Sequence, residues 1–178
     1  MLRIVNKQDL LMVKLTKFFF DENNLNIMLP IINGQSKLSL RIIDWFVTNY
    51  SKKKNISFIK NDNNIYQKQF IVYLNYKKQL KAYSKKQFDP FCRRDRINFF
   101  YNEKNSIITT VGQLNFFRWA IQNNIINYIK ENINDIEKDM NQSLRKINNN
   151  KNKKRHELSV SATKKLNKHN VKIIIKFE

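Results

Sequence analysis

Residues 110–146 constrain this chain more than any other stretch, because they are long, periodic and capped. The stretch opens Thr110-Val111-Gly112-Gln113. This is a capping-box pattern, in which the Thr hydroxyl and the Gln amide each satisfy a backbone N–H of the first turn. Leu114-Asn115-Phe116-Phe117-Arg118-Trp119-Ala120-Ile121 follows. Apolar residues then recur at Ile125, Tyr128, Ile129, Ile133, Ile136, Met140, Leu144 and Ile147. Spacings of three and four predict a helix with one buried stripe. Its first turns are apolar nearly all round and are expected to be buried on more than one side. Unbroken, it would run roughly 50 Å at the helical rise per residue. Asn123, Asn124, Asn127, Asn132 and Asn134 weaken it, since Asn side chains compete with the helical backbone, and a break is a candidate near 132–135.

The rest of the chain is punctuated around that element. Residues 1–35 read equally as strand (Val13, Leu15, Phe18-Phe19-Phe20) or as helix (Leu11, Leu15, Phe19), with 1–8 a candidate for disorder and Asn33-Gly34 marking a turn. Ser36 is placed to cap a shorter helix over about 37–51. Leu38, Ile42, Trp45 and Phe46 share one face of it, and Lys52-Lys53-Lys54 close it against the negative end of its dipole. Those lysines read first as a solvated helix end and second as a phosphate contact. Alternation predicts strands at 56–60, 65–76, 96–101 and 106–109, with turns at Asn61-Asp62-Asn63-Asn64 and Asn102-Glu103-Lys104-Asn105. Residues 146–156 read as a basic flexible loop, and two further strand-like runs, Leu158/Val160/Ala162 and Val171/Ile173/Ile175/Phe177, close the sequence. The fold class expected is α+β in a single domain, 1–178. A small, mostly antiparallel sheet would pack against one long helix, with a shorter N-terminal helix beside it. Basic aromatic strands followed by a helix are loosely analogous to an oligonucleotide-binding barrel.

Charge sets the expectation for function. Lysine and arginine number 34 against 14 acidic residues, a net +20 in 178 residues. Folding does not require such an excess, and self-repulsion opposes it, so a polyanionic partner is the expected reason. Heavy use of Asn, Lys and Ile also fits an A/T-rich genome, which would supply lysines without selecting them. A single cysteine, Cys92, permits no intrachain disulfide and points to a reducing compartment. No window reaches the ~18 apolar residues of a membrane span. The run 10–20 is cut by Lys14 and Lys17, with no signal-peptide cleavage pattern after it, so a protein that is soluble and intracellular, or enclosed in something assembled inside a cell, is expected.

Catalytic patterns are thin. Two glycines cannot build a glycine-rich phosphate loop, and His156, His169 and Cys92 lack the spacing of a metal site. Glu131, Asp135 and Asp139 fall on one face of one helix. Two-metal nuclease chemistry needs carboxylates converging from different elements, so a solvated face is the better reading. No catalytic residue, metal or cofactor is assigned, and the protein is read as non-enzymatic.

The constructive signal is the interleaving of cations and rings over residues 76–101. Lys85, Lys86, Arg93, Arg94 and Arg96 are candidate phosphate contacts, while Tyr83 and Phe91 are candidate stacking platforms. Asp89-Pro90 sets the two arginines just after a turn, at an expected sheet edge. The competing reading keeps the rings in the core and pairs Arg93 or Arg94 with Asp89 or Asp95. Lys151, Lys153, Lys154 and Arg155 form a second basic element, which reads as a non-specific duplex contact, a nuclear localisation signal or a solvated loop. Binding through either would be sequence-independent and steeply salt-dependent.

Four segments carry a resemblance: Ser39-Leu40-Arg41-Ile42-Ile43-Asp44-Trp45-Phe46-Val47-Thr48-Asn49-Tyr50, Phe88-Asp89-Pro90-Phe91-Cys92-Arg93-Arg94, Thr109-Thr110-Val111-Gly112-Gln113-Leu114-Asn115-Phe116-Phe117-Arg118-Trp119-Ala120, and Glu157-Leu158-Ser159-Val160-Ser161-Ala162-Thr163-Lys164. Over about residues 20–178 the chain resembles a family of small basic proteins of large nucleocytoplasmic DNA viruses, the mimivirus-like giant viruses. The resemblance implies a viral origin and a place in the infected cell (viral factory, cytoplasm or nucleus) or the virion. It implies no site residues. The expected partner is nucleic acid, DNA ahead of RNA, acting in genome packaging, replication or late expression. The alternative is a virion structural protein, a minor capsid or core component, whose basic surface meets acidic virion proteins.

Overall fold

A computed structural model of the chain describes residues 7–61, 67–91 and 93–151. Contacts divide the chain into two units, Met1–Gln142 and Ser143–Glu178. The first carries an α+β fold, with its sheet content in two antiparallel pairs. Of the second, only the end of one helix is described.

The N-terminal ambiguity resolves in favour of helix. Helix α1, Lys7–Phe19, buries Leu11, Leu15 and Phe19, one residue per turn. Helix α2, Glu22–Ile32, starts where the Asp21 carboxylate accepts from the Asn23 N–H at 2.9 Å. It ends at Asn33, before Gly34, whose φ of 71° turns the chain. Of the span expected to be disordered, Lys7 and Gln8 belong to α1, and residues 1–6 lie outside the described residues.

The second helix starts later than expected. Ser39, not Ser36, caps α3, Leu40–Trp45, by accepting from the Ile42 N–H at 3.3 Å. Ser36 makes a local turn with the Leu38 N–H instead. The helix runs on through a π-helical turn, Phe46–Tyr50, into α4, Ser51–Lys53. The wider turn keeps Phe46, Val47 and Tyr50 all buried.

Strand β1, Ser57–Asn61, pairs antiparallel with β2, Gln67–Ile71, and the Phe58 and Phe70 rings stack across the pair at 6.1 Å. The strand expected over 65–76 stops at Ile71. From Val72 the chain is helix α5, Val72–Gln87. Both periods were written into this segment. The alternating reading would bury Leu74, which is 52% exposed; Val72 and Tyr76, one helical turn apart, are the buried pair. The second hairpin forms as expected, β3, Ile97–Phe100, with β4, Ser106–Thr109. The Asn102 Oδ1 accepts from the N–H groups of Lys104 and Asn105 and builds its turn. These are separate two-stranded sheets, neither of which forms a barrel, so the barrel analogy does not hold for the described residues.

The long helix is three. Helix α6, Val111–Gln122, is capped by Thr110 and buried on nearly every side against α1, α2 and α5. It ends at Asn123, whose side chain donates to the Trp119 carbonyl, and Asn124 takes a left-handed φ of 58°. Helix α7, Ile125–Glu131, ends at Asn132, whose amide donates to the Tyr128 carbonyl. Helix α8, Ile133–Lys151, follows. Asn residues thus make both breaks by satisfying the carbonyls that the ending helix leaves open. Because α8 reaches Lys151, the first residues of the expected loop at 146–156 are helical; 152–156 and the strand-like runs after them lie outside the described residues.

Candidate nucleic-acid interface

The sequence placed the candidate arginines Arg93 and Arg94 just after Asp89-Pro90. The structure makes that turn a joint. Phe88, Asp89 and Pro90 are all buried. The Asp89 carboxylate accepts from the Phe91 N–H at 3.0 Å, and from Arg93 Nε and Nη2, both at 3.0 Å. Burial alone would raise the Asp89 pKa, but the hydrogen bonds from Arg93 and Phe91 outweigh it and hold the carboxyl below its ordinary value. Arg93 also lies 5.1 Å from the Phe91 ring centre.

The start of α6 locks onto the same turn. The Gly112 carbonyl accepts from the Asp89 N–H at 3.3 Å. Gln113 accepts from the Thr109 hydroxyl at 2.7 Å and donates to the Pro90 carbonyl at 2.7 Å, while Asn115 donates to the Gln87 carbonyl at 2.8 Å. The Gln113 amide is therefore committed to this joint. Two of the segments that carry the family resemblance thus hold each other.

Asp44, on α3, faces this joint. Burial raises its pKa, Arg93 opposes the rise and the Asp89 carboxylate adds to it. Burial also pushes the Tyr76 phenol up to about 12, aided by Asp44 and Asp89.

The candidate residues divide accordingly. Arg93 is paired with Asp89 in this joint, with its side chain still 68% exposed. Phe91 is half-buried beneath it, and Tyr83 stacks on Phe88 at 6.4 Å while its hydroxyl accepts from Arg118. Neither ring stands free as a stacking platform. Lys85, Lys86, Arg94 and Arg96 are exposed. Lys85 and Lys86 lie on α5 rather than in a strand, and α5 adds Lys77, Lys78 and Lys81. It thus carries five lysines, all exposed, and no acidic residue. Lys77 and Lys81 stand one turn apart on one face, and Lys85 and Lys86 follow the kink at Ser84, where the backbone leaves the helix. The arginines expected at a sheet edge lie in the loop that leads into β3, and the lysines lie on α5. Lys151 ends α8, and Lys153, Lys154 and Arg155 lie outside the described residues, as does Cys92.

The acidic stripe is split too. Glu131 and Asp135 are exposed, whereas Asp139 accepts from the Trp45 indole at 3.1 Å and pairs with Lys53, tying α8 to α3 and α4. One of the lysines read as a helix end is thereby spent. Sequence reasoning passed over Arg118. A lone cation between Phe117 and Trp119, the one charged residue of a mostly buried helix, was the signal that could have found it.

A protein-family model described as a family of unknown function (DUF7197) matches residues 3–175. The chain is 45% identical over 138 residues to the uncharacterized protein L507 of Acanthamoeba polyphaga mimivirus, an alignment covering 74% of this chain. The chain spans about half the length of that relative (51%), so the small size expected of such proteins does not extend to it. No solved structure matches.

Proposed function

Because the chain belongs to the DUF7197 family of unknown function and is 45% identical over 138 residues to a giant-virus protein, we propose that it is a non-enzymatic nucleic-acid-binding protein of a large DNA virus. It acts in the infected cell or the virion, with DNA ahead of RNA as its partner. One observation carries the reading: α5 presents five exposed lysines without a single carboxylate on the helix. Exposed Arg94 and Arg96 follow the same segment, in a chain of net charge +20. Lysines clustered on both sides of the Ser84 kink offer cations to a backbone's phosphates without reading bases. The rings nearby are spent on packing, which favours phosphate contact over base stacking.

The test is a salt titration of binding to matched single-stranded and duplex DNA, with heparin as a charge-only competitor. Each phosphate contact removed should flatten the slope of log affinity against log salt by about 0.9 on duplex. Changing Lys81, Lys85 and Lys86 together to Gln should therefore flatten it by about 2–3 units. An unchanged slope would remove α5 from the interface.

A second reading, a virion structural protein, draws on exposed Phe20 and Phe100, which line one cleft with Leu25 and Leu29. Association with capsid proteins that survives nuclease treatment would favour it.

A further inference from the structure

A cleft of about 540 Å³ opens between β2, α5 and the C-terminal half of α6. Asn75, Lys78, Gln79 and Tyr83 line it from α5, and Arg118 and Gln122 from α6. Its size falls within the range of small-molecule sites, and its walls are dominated by amides and cations.

Arg118 is the residue in it that the fold leaves unexplained. It is half-buried on the most buried helix of the protein. Its Nη2 donates to Asn115 Oδ1 at 3.0 Å and to Tyr83 Oη at 3.4 Å, both neutral oxygens. Its Nε is buried and has no hydrogen-bond partner among the described residues. The ion pairs of the described residues are Lys53–Asp139 and Arg93–Asp89, so no carboxylate compensates Arg118 there. A guanidinium cannot relieve the cost of burial by giving up its proton, and buried charges are ordinarily paired. Packing alone would be served by an apolar side chain, as at every neighbouring position from Phe116 to Ile121.

The cleft supplies the rest of a site. Lys78, exposed at its rim, adds a second cation. The Asn75 Oδ1 is fixed by accepting from the Trp119 indole at 2.7 Å, which turns its amide N–H groups outward as donors. Gln79 and Gln122 offer both donors and acceptors.

We propose that this cleft binds a phosphate-bearing ligand of nucleotide size, its phosphate held by Arg118 and Lys78 and its base or sugar met by the amides of Asn75, Gln79 and Gln122. Whether the nucleotide is free or one unit of a strand, the chemistry of recognition is the same. The inference stands on Arg118 and shares only Lys78 with the basic α5 segment of the preceding proposal.

Calorimetric titration of the full chain with dAMP, and with adenosine as the phosphate-free control, tests it. One-to-one binding of dAMP, at least about tenfold tighter than adenosine, is expected from the charge-assisted contacts. Lys78→Gln should weaken dAMP about three- to tenfold, and Arg118→Gln should abolish binding. If Arg118→Gln fails to fold, the rim variant and the adenosine comparison still decide. Affinity equal for dAMP and adenosine, no binding of dAMP at millimolar concentration, or affinity untouched by Lys78→Gln would overturn the proposal. Excess dAMP separates this idea from the one above. Oligonucleotide binding with no dAMP binding sinks the cleft and leaves the basic face. Saturable dAMP binding with no strand binding near physiological salt does the reverse.

Discussion

Arg93 closes back on Asp89, four residues earlier, with two hydrogen bonds of 3.0 Å from Nε and Nη2 to the two carboxylate oxygens. The partners are unequal. Asp89 is 7% exposed, whereas the Arg93 side chain is 68% exposed. Removing the buried partner strands the Phe91 N–H and the guanidinium, while removing the exposed one leaves a carboxylate that the Phe91 N–H still satisfies in part. Asp89→Ala should therefore cost about 2–3 kcal/mol and Arg93→Ala only about 0.5–1. Urea denaturation of both variants measures this. Equal losses would mean that the pair, not the buried carboxylate, is what holds the turn.

Gly112 meets the same turn from α6. A Cβ there would lie 3.0 Å from the Asp89 nitrogen and 3.0 Å from the Lys86 carbonyl oxygen, both backbone atoms that cannot swing aside. Alanine is the better helix former by about 1 kcal/mol. Forced overlap with backbone costs about 1–3 kcal/mol. Gly112→Ala should thus be net destabilising, with a lower urea midpoint; a higher midpoint would show that the two segments can separate at no cost.

The pH dependence follows from opposite shifts. Asp89 is held low as above, and Asp139 likewise, because hydrogen bonds from Lys53 and Trp45 outweigh its burial. Their contribution is full above the ordinary carboxylate pKa of 3.8 and is lost as pH falls through their lower folded values. Asp44, raised by burial, runs the other way, and its protonation partly offsets the acid loss. Tyr76 governs the alkaline side: raised from 10.0 to about 12, it withdraws stability as pH climbs across that interval. Denaturation midpoints measured against pH should fall at both ends. Tyr76→Phe should shrink the alkaline fall, and Asp44→Asn should raise stability at neutral pH; a loss there would assign Asp44 a favourable partner.

What the sequence disclosed was mostly what local chemistry decides. The Thr110 cap, the apolar wrap of α6 and the Asn102 turn each rest on residues within a few positions of one another, and each is where periodicity and turn chemistry put it. The segment from Val72 failed because Val72 and Tyr76, four residues apart, satisfy both periods, and burial against α6 chose between them. The long helix failed at Asn123 and Asn132 because a side-chain amide that satisfies a carbonyl can end a helix without proline or glycine. In the candidate site, charge was legible and pairing only where it is local. The Arg93–Asp89 pair, four residues apart, was among the readings the sequence offered, whereas Lys53 looks like a free cation until the fold brings Asp139 to it from 86 residues away.

Ser84 interrupts α5 with φ 60° and ψ 169°, a backbone region suited to glycine. Its Oγ accepts from the Lys86 N–H at 3.3 Å, a long bond that recovers little. Ser84→Gly should raise stability by about 1 kcal/mol by removing the strain. Its effect on DNA binding should be small, since neither Lys85 nor Lys86 depends on the serine side chain for its charge. A loss of stability in urea would show that the Oγ bond outweighs the strain.

The last prediction separates charge that is spent from charge that is free. Arg93, Arg94 and Arg96 look equivalent in the sequence, yet Arg93 is bound to Asp89 and stands over Phe91, whereas Arg94 and Arg96 are exposed. If nucleic acid is held by free cations, Arg94→Gln with Arg96→Gln should lower DNA affinity and flatten the salt slope by about 2 units while leaving the urea midpoint unchanged. Arg93→Gln should do the opposite, lowering the midpoint and moving the slope little, because its charge is already neutralised by Asp89. Binding curves and denaturation curves on the same three variants give the comparison. A common loss of affinity across all three would mean that Arg93 leaves Asp89 to reach phosphate, so that the joint opens on binding. Unchanged affinity across all three, with a slope that still responds to the α5 lysines, would confine the interface to that helix.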